Sequence, residues 1–182
     1  MKQDIAMYRK LTLNYDKDYF LNLFSKSSKD ADSRIFIESA ADLPNDAEVI
    51  KLLEHFPFIQ RDKPSISIVQ LRREMKPYIN DHNNGSIVIP LAGDLFYKFY
   101  SYPGTLVNGR PTLSPDSIYD DGLIPTIEAT LTETVQVDRP MIFNGQITHS
   151  YGFTGYVNPV YLLFKIPEYI SWTVALESLN LE

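Results

Sequence analysis

Two hydrophobic patterns divide the chain at about residue 65. Before this point, apolar side chains recur at helical spacing in two segments, one with Tyr19, Phe20, Leu23 and Phe24 and one with Val49, Leu52, Leu53 and Phe56. Each set falls on one face of a helix. Asp16 or Asp18 is suited to cap the first helix, and residues 44–46 begin the second, which ends at Pro57. Short strands are predicted within residues 8–15 and at residues 34–37.

After residue 65 the pattern is typical of strands, because apolar and polar residues alternate or apolar residues run on for a few positions. The predicted strands are 66–71, 86–91, 95–100, 127–137, 141–143, 147–151 and 160–166. Residues 92–94 form a loop of hairpin length. Residues 102–125 contain four prolines, so we predict a long loop or short irregular elements near one end of the sheets.

These patterns predict one domain, 1–182, that is mainly β with peripheral helices. Residues 1–64 are its helix-containing N-terminal part, and residues 65–176 are its β-barrel core. We expect an antiparallel sandwich or barrel with the N-terminal helices packed on one outer face. With 182 residues, 44% of them hydrophobic, the chain can bury a sizeable core.

Charge and cysteine content exclude several function classes. The net charge is −6, which is opposite to the basic surface of a general nucleic-acid binder, so we expect no nucleic-acid partner. There is no cysteine, and disulfides, thiol catalysis and cysteine-ligated zinc are therefore excluded. No apolar run is long enough for a membrane span and the N-terminus lacks a signal-peptide pattern. We expect a soluble, cytoplasmic protein without a membrane partner.

The three histidines are the only candidates for a histidine-based metal site. His149 lies within the predicted strand 147–151, and Asp81 and His82 lie in a polar loop before the strand 86–91. Together they could bind a metal such as the iron of oxygenases that use two His and one carboxylate. The alternatives are a His149 ring hydrogen-bonded inside a polar pocket and a solvated loop at residues 81–82. His55 is expected to face water near a helix end.

Two segments of the chain resemble the two halves of the double-stranded β-helix, or jelly-roll, of iron- and 2-oxoglutarate-dependent oxygenases. They are MKPYINDHNNGSIVIPLAGD and DRPMIFNGQITHSYGFTGYVNPVYLLFKI. The resemblance is to the small oxygenase-like proteins of marine bacteria and their phages. In that pattern Pro-His-x-Asp precedes a strand ending in Ile-Pro-Leu, and a later Pro-x-x-Phe-Asn strand precedes a distal His. The matching residues here are Ile89, Pro90, Leu91, Pro140, Phe143, Asn144 and His149.

The chain departs from the family's ligand pattern at three positions. The His-x-Asp positions fall on Tyr78 and Asn80, and the position of the co-substrate arginine falls near Tyr161. A register shifted by four residues would place His82 on the motif. A tyrosine cannot form the bidentate ion pair by which arginine holds a carboxylate. The resemblance thus implies a pocket of Tyr78, Asn80, Asn144 and Tyr161, with His149 and His82 as the remaining candidate metal ligands.

The motif losses predict a degenerate oxygenase-like protein that acts as a non-catalytic binding or structural module, with a phage-related protein as one form of it. We expect no cofactor and a small polar ligand. One alternative is an active oxygenase that binds Fe(II) and 2-oxoglutarate through unusual ligands such as Asp81 or His82 with His149. Others are a cupin-like sugar- or nucleotide-binding protein and a phage structural protein, which would be virion-associated. The sequence leaves open whether the chain is an enzyme.

Overall fold

The computed structural model describes residues 6–30, 36–39, 41–59, 64–75, 77, 83–101, 106–107, 110–111 and 129–179. In these ranges the chain forms three α-helices, one 3-10 turn and twelve strands. The helices are α1 (Lys17–Lys26), α2 (Ala47–Leu53) and α3 (Trp172–Ser178), and the 3-10 turn is Leu43–Asn45. The strands are β1 (Tyr8–Lys10), β2 (Lys29–Asp30), β3 (Phe36–Ser39), β4 (Ile66–Leu71), β5 (Asn83–Ala92), β6 (Asp94–Ser101), β7 (Leu106–Val107), β8 (Arg110–Pro111), β9 (Thr130–Gln136), β10 (Met141–Asn144), β11 (His149–Thr154) and β12 (Val160–Pro167).

Ten of the described strands form two antiparallel sheets. The larger sheet has the order β1-β10-β5-β12-β4-β3-β2 and the smaller one the order β11-β6-β9. The chain passes from one sheet to the other between β5 and β6, between β9 and β10, and again on each side of β11. This alternation is the connectivity of a jelly-roll. The predicted fold, mainly β and jelly-roll with peripheral helices, is therefore confirmed.

The helices cover the outer face of the larger sheet, as predicted for the N-terminal pair. Asp16 caps α1 by accepting a hydrogen bond from the Tyr19 amide, and Asp46 caps α2 by accepting from the Glu48 and Val49 amides. The buried faces of all three helices join one hydrophobic cluster with the outward residues of the larger sheet. That cluster includes Phe20, Phe24, Leu52, Phe56, Ile87, Ile89, Leu162, Phe164, Trp172 and Ala175.

Strand alternation gives the larger sheet a second buried face. Its inward residues meet the inward residues of the smaller sheet because successive side chains of a strand point to opposite faces. This second cluster, which we call the barrel interior, consists of Val69, Leu71, Val88, Leu95, Tyr97, Phe99, Val135, Val137, Met141, Phe143, Tyr151 and Tyr161.

Most predicted elements are found, and the differences are local. The helix α3 at Trp172–Ser178 was not predicted, and the strand predicted at 127–137 is described only as Thr130–Gln136. Of the loop predicted at 102–125, only β7 and β8 are described, and they form a two-stranded hairpin; the rest lies outside the described residues. Among the helices described, none has the length and apolarity needed to cross a membrane.

Candidate functional site

Aromatic rings occupy the barrel interior around the centre of β6. Tyr97, which is fully buried, stacks on Phe143 with ring centroids 3.8 Å apart and planes 2° apart. Tyr97 also stacks on His149, with centroids 4.9 Å apart. Phe99 lies 5.0 Å from Tyr97 and Tyr8 stacks on Phe99 at 5.9 Å. These rings come from four strands that are far apart in the sequence, and they form a packed core.

His149 is part of this core. It is the first residue of β11, lies opposite Phe99 in β6, and is completely buried. Its Nδ1 lies 2.6 Å from the carbonyl oxygen of Ile147. Since a carbonyl can only accept, the neutral ring carries its proton on Nδ1 and donates it there. Burial lowers the pKa of His149 to about 4, and the hydrogen bond to Ile147 opposes this only in part. The imidazole is therefore neutral at pH 7.

Tyr161 and His149 belong to one aromatic cluster. Tyr161 stacks on Tyr151 with centroids 5.7 Å apart, and Tyr151 meets the His149 ring edge-on at 6.3 Å. Burial raises the pKa of Tyr161 well above its usual value, and the nearby Tyr151 and Glu38 add to the effect. The Tyr151 hydroxyl lies 3.4 Å from the Ser86 hydroxyl. The polar groups of this cluster are thus phenol hydroxyls, the Ser86 hydroxyl and one neutral imidazole.

Asn144 has a local structural role. It ends β10, pairs with Gly85 of β5, and is buried. Its side-chain oxygen accepts a hydrogen bond from the Gln146 amide at 3.0 Å, which closes the turn toward β11. Tyr78, Asn80 and His82 lie outside the described residues. The predicted convergence of Tyr78, Asn80, His149 and Tyr161 therefore stays a prediction, although two of its members share a cluster.

Of the candidate ligands for an iron and 2-oxoglutarate site, Asp81 and His82 lie outside the described residues. Within the described ranges, no group of three or more His, Asp or Glu side chains comes together in an arrangement that could hold a metal ion. Fe(II) in such enzymes is held by two imidazoles and a carboxylate, and the described interior supplies one imidazole among Tyr and Phe rings. Tyr161, at the expected arginine position, has no charge to offer a dicarboxylate.

A cleft of about 290 Å³ lies elsewhere, at the end of the sandwich where β5 turns into β6. Sequence analysis missed it because its residues come from three separate segments, each of which is an ordinary turn or strand end. The lining residues are Tyr15, Lys17, Pro90, Leu91, Ala92, Gly93, Asp94, Gln136, Val137 and Asp138. No local motif could have indicated it.

Comparisons with known proteins add little to this picture. No protein-family model matches the chain, and no curated protein matches it. Similar solved structures include a vicilin from Capsicum annuum (12% identity, 79% of this chain, 31% of that chain, TM-score 0.35) and a vicilin from hazelnut, Corylus avellana (15%, 81%, 32% and 0.37). The chain spans about a third of the length of either vicilin. Likeness at this level carries no argument about function, so the jelly-roll assignment rests on the strand order.

Proposed function

We propose that the chain is a non-catalytic jelly-roll module, a degenerate relative of the iron oxygenases that functions by binding or as a structural unit. One observation carries the proposal: the region around His149 is filled by stacked aromatic rings. A structural role in a phage particle would be one setting for such a module, and a cytoplasmic binding protein another.

The energetics of packing favour this interpretation. Each aromatic pair contributes about 0.5–1.5 kcal/mol beyond the burial of its surface. His149 makes two such contacts, with Tyr97 and Tyr151. A metal ion and a dicarboxylate at His149 would bring charge into a buried region whose described neighbours are aromatic rings, and such a medium penalises charge. The cost would have to be offset by ligands that the described interior does not supply.

Calorimetry with Fe(II) and 2-oxoglutarate under anaerobic conditions tests the proposal. We expect no saturable heat with either compound alone or with both together. His55→Ala is the matched control, since His55 is an exposed histidine outside the barrel, and any heat that it abolishes reports adventitious binding. Micromolar binding that is lost in His149→Gln but kept in His55→Ala would show an oxygenase-type site.

An active iron oxygenase is the second candidate. The hydrogen bond from Nδ1–H of His149 to a backbone carbonyl is also how metal-binding histidines are oriented, and a neutral imidazole is the form that binds metal. Asp81 or His82 would have to complete the site. Under this hypothesis, Asp81→Ala or His82→Ala would remove Fe(II) binding and the conversion of 2-oxoglutarate to succinate. A wild-type protein without either activity would refute it.

A further inference from the structure

The cleft beside the turn that joins β5 to β6 is framed by hydrogen bonds between separate segments. The Tyr15 hydroxyl donates a hydrogen bond to the Pro90 carbonyl at 3.0 Å, which attaches the segment before α1 to β5. The Val137 amide bonds to the Leu95 carbonyl at 2.9 Å and so holds the end of β9 beside β6. At the β5–β6 turn, Gly93 has φ +70°, and a Cβ there would lie 2.9 Å from Pro159 Cα. The walls of the cleft are therefore fixed before any ligand arrives.

The exposed lining of the cleft is mainly polar. Leu91 and Val137 are buried beneath it. The side chains of Lys17, Asp94 and Gln136 are exposed on its rim, and within the described residues they form no hydrogen bond or ion pair with another side chain. Lys17 can only donate, Asp94 can only accept, and Gln136 can do both.

The charge of the rim is balanced. Asp138 is already paired with Lys10 at 3.2 Å, and Arg139 lies 3.8 Å from the same carboxylate oxygen. This leaves Lys17 and Asp94 as one positive and one negative group facing the cleft. Neither a phosphate nor a metal cation is favoured by such a rim, because each would meet a like charge.

Size and chemistry together select a class of ligand. A volume of about 290 Å³ is at the lower end of the range for small-molecule sites. A pyranose ring carries no net charge, and it has hydroxyl groups that both donate and accept. Each rim group can therefore form a hydrogen bond with a sugar hydroxyl, whether the rim group donates or accepts. Charged partners strengthen such bonds.

We propose that this cleft binds a neutral monosaccharide unit, free or at the end of a glycan, with Asp94, Gln136 and Lys17 as its hydrogen-bonding residues. Tyr156 lies on the neighbouring β11–β12 loop and is fully exposed, and the carbonyl of the next residue, Val157, lies against Gly93. An aromatic side chain at this position is available to extend the contact to a second sugar unit.

The test is ligand-observed NMR and calorimetry with methyl glycosides of glucose, mannose and galactose, with glycine and serine as zwitterionic comparators. We expect at least one glycoside to bind with a Kd of about 1 mM. Gln136→Ala should weaken binding by about tenfold because a polar partner of the bound hydroxyl is lost. Asp94→Asn should also weaken it, because the acceptor loses the charge that strengthens its hydrogen bond. Glu177→Gln on α3, which removes an exposed carboxylate far along the chain, should leave the Kd unchanged.

Binding of glycine or serine but of no glycoside would overturn the assignment, as would glycoside binding that Asp94→Asn and Gln136→Ala leave intact. Absence of binding by every compound would also refute it. The rim side chains lie outside the barrel interior, so His149→Gln should leave glycoside binding unchanged. This inference and the proposed function can thus fail separately.

Discussion

At the scale of single residues, His149 shows why a histidine on a strand is an ambiguous signal. Its ring lies flat against Tyr97 and its Nδ1–H is bound by the Ile147 carbonyl, so it behaves as an aromatic core residue. Sequence analysis singled it out as a candidate metal ligand, with a hydrogen-bonded ring in a polar pocket as the alternative. Its partner Tyr97 belongs to β6, and Tyr97 stacks in turn on Phe143 of β10. The spacing of residues along the chain does not reveal which rings meet across two sheets.

The neutral state of His149 predicts a pH-dependent stability. The pKa of His149 is about 4 in the folded protein and about 6.5 when the ring is exposed. As the pH falls from 6.5 to 4, the unfolded chain gains this proton and the folded one does not, so the free energy of unfolding decreases with falling pH. The difference corresponds to about 3 kcal/mol. Urea unfolding at a series of pH values should show this loss.

His149→Phe provides the comparison, since it keeps an aromatic ring in the stack and removes the titrating group. For each protein, the free energy of unfolding is plotted against pH, and the curve of the variant is subtracted from that of the wild type. The subtraction removes the contribution of the carboxylates, because they titrate in both proteins. We expect the difference to change between pH 6.5 and pH 4 and to be flat above pH 7.5. Parallel curves throughout would mean that His149 is accessible to protons in the folded protein.

At the scale of elements, the two turns with positive-φ glycines differ in one respect. Gly93 and Gly155 have φ values of +70° and +86°, but only Gly93 has neighbours close to where a Cβ would lie. Gly155→Ala should therefore cost only the backbone strain of about 1–2 kcal/mol. Gly93→Ala should cost clearly more, because Pro159 must also move. Chemical denaturation of the two variants measures the difference in the free energy of unfolding. Equal decreases would show that the β5–β6 turn relaxes to make room for the added methyl group.

The elements predicted correctly are those with local signals. Asp16, one of the two candidates, caps α1, and α2 begins after residues 44–46 with Asp46 as its cap. The short loop at 92–94 is present and turns at Gly93, but it connects the two sheets and does not form a hairpin. The helix α3 was missed because seven residues are too few to display helical periodicity, and only Trp172 and Ala175 among them are buried. The cleft was missed for a different reason: its rim forms only when α1, β6 and β9 are brought together by the fold.

At the scale of the whole molecule, the larger sheet is shared by two cores. In β5, Ile87 and Ile89 face the helices while Val88 faces the barrel interior, and in β10 Ile142 and Phe143 divide in the same way. Neighbouring residues of the central strands point to opposite faces of the larger sheet. The central strands therefore link the packing of the helix layer to the packing of the smaller sheet. The continuous apolar residues of such strands allow the prediction that both faces are buried. They do not reveal whether helices or a second sheet cover each face.

This sharing predicts that the helix layer and the barrel unfold together. Trp172 is the only tryptophan, is nearly buried in the helix layer, and donates a hydrogen bond to the Ala6 carbonyl. Its fluorescence therefore reports the helix layer, while far-UV circular dichroism is dominated by the sheets. Phe143→Leu in the barrel interior should destabilise the protein by about 1–2 kcal/mol and lower the Tm by about 3–6 °C. Both signals should shift by the same amount, because a shared sheet makes the transition all-or-none. A Trp172 transition that stays in place while the sheet signal moves would mean that the helix layer folds independently of the barrel.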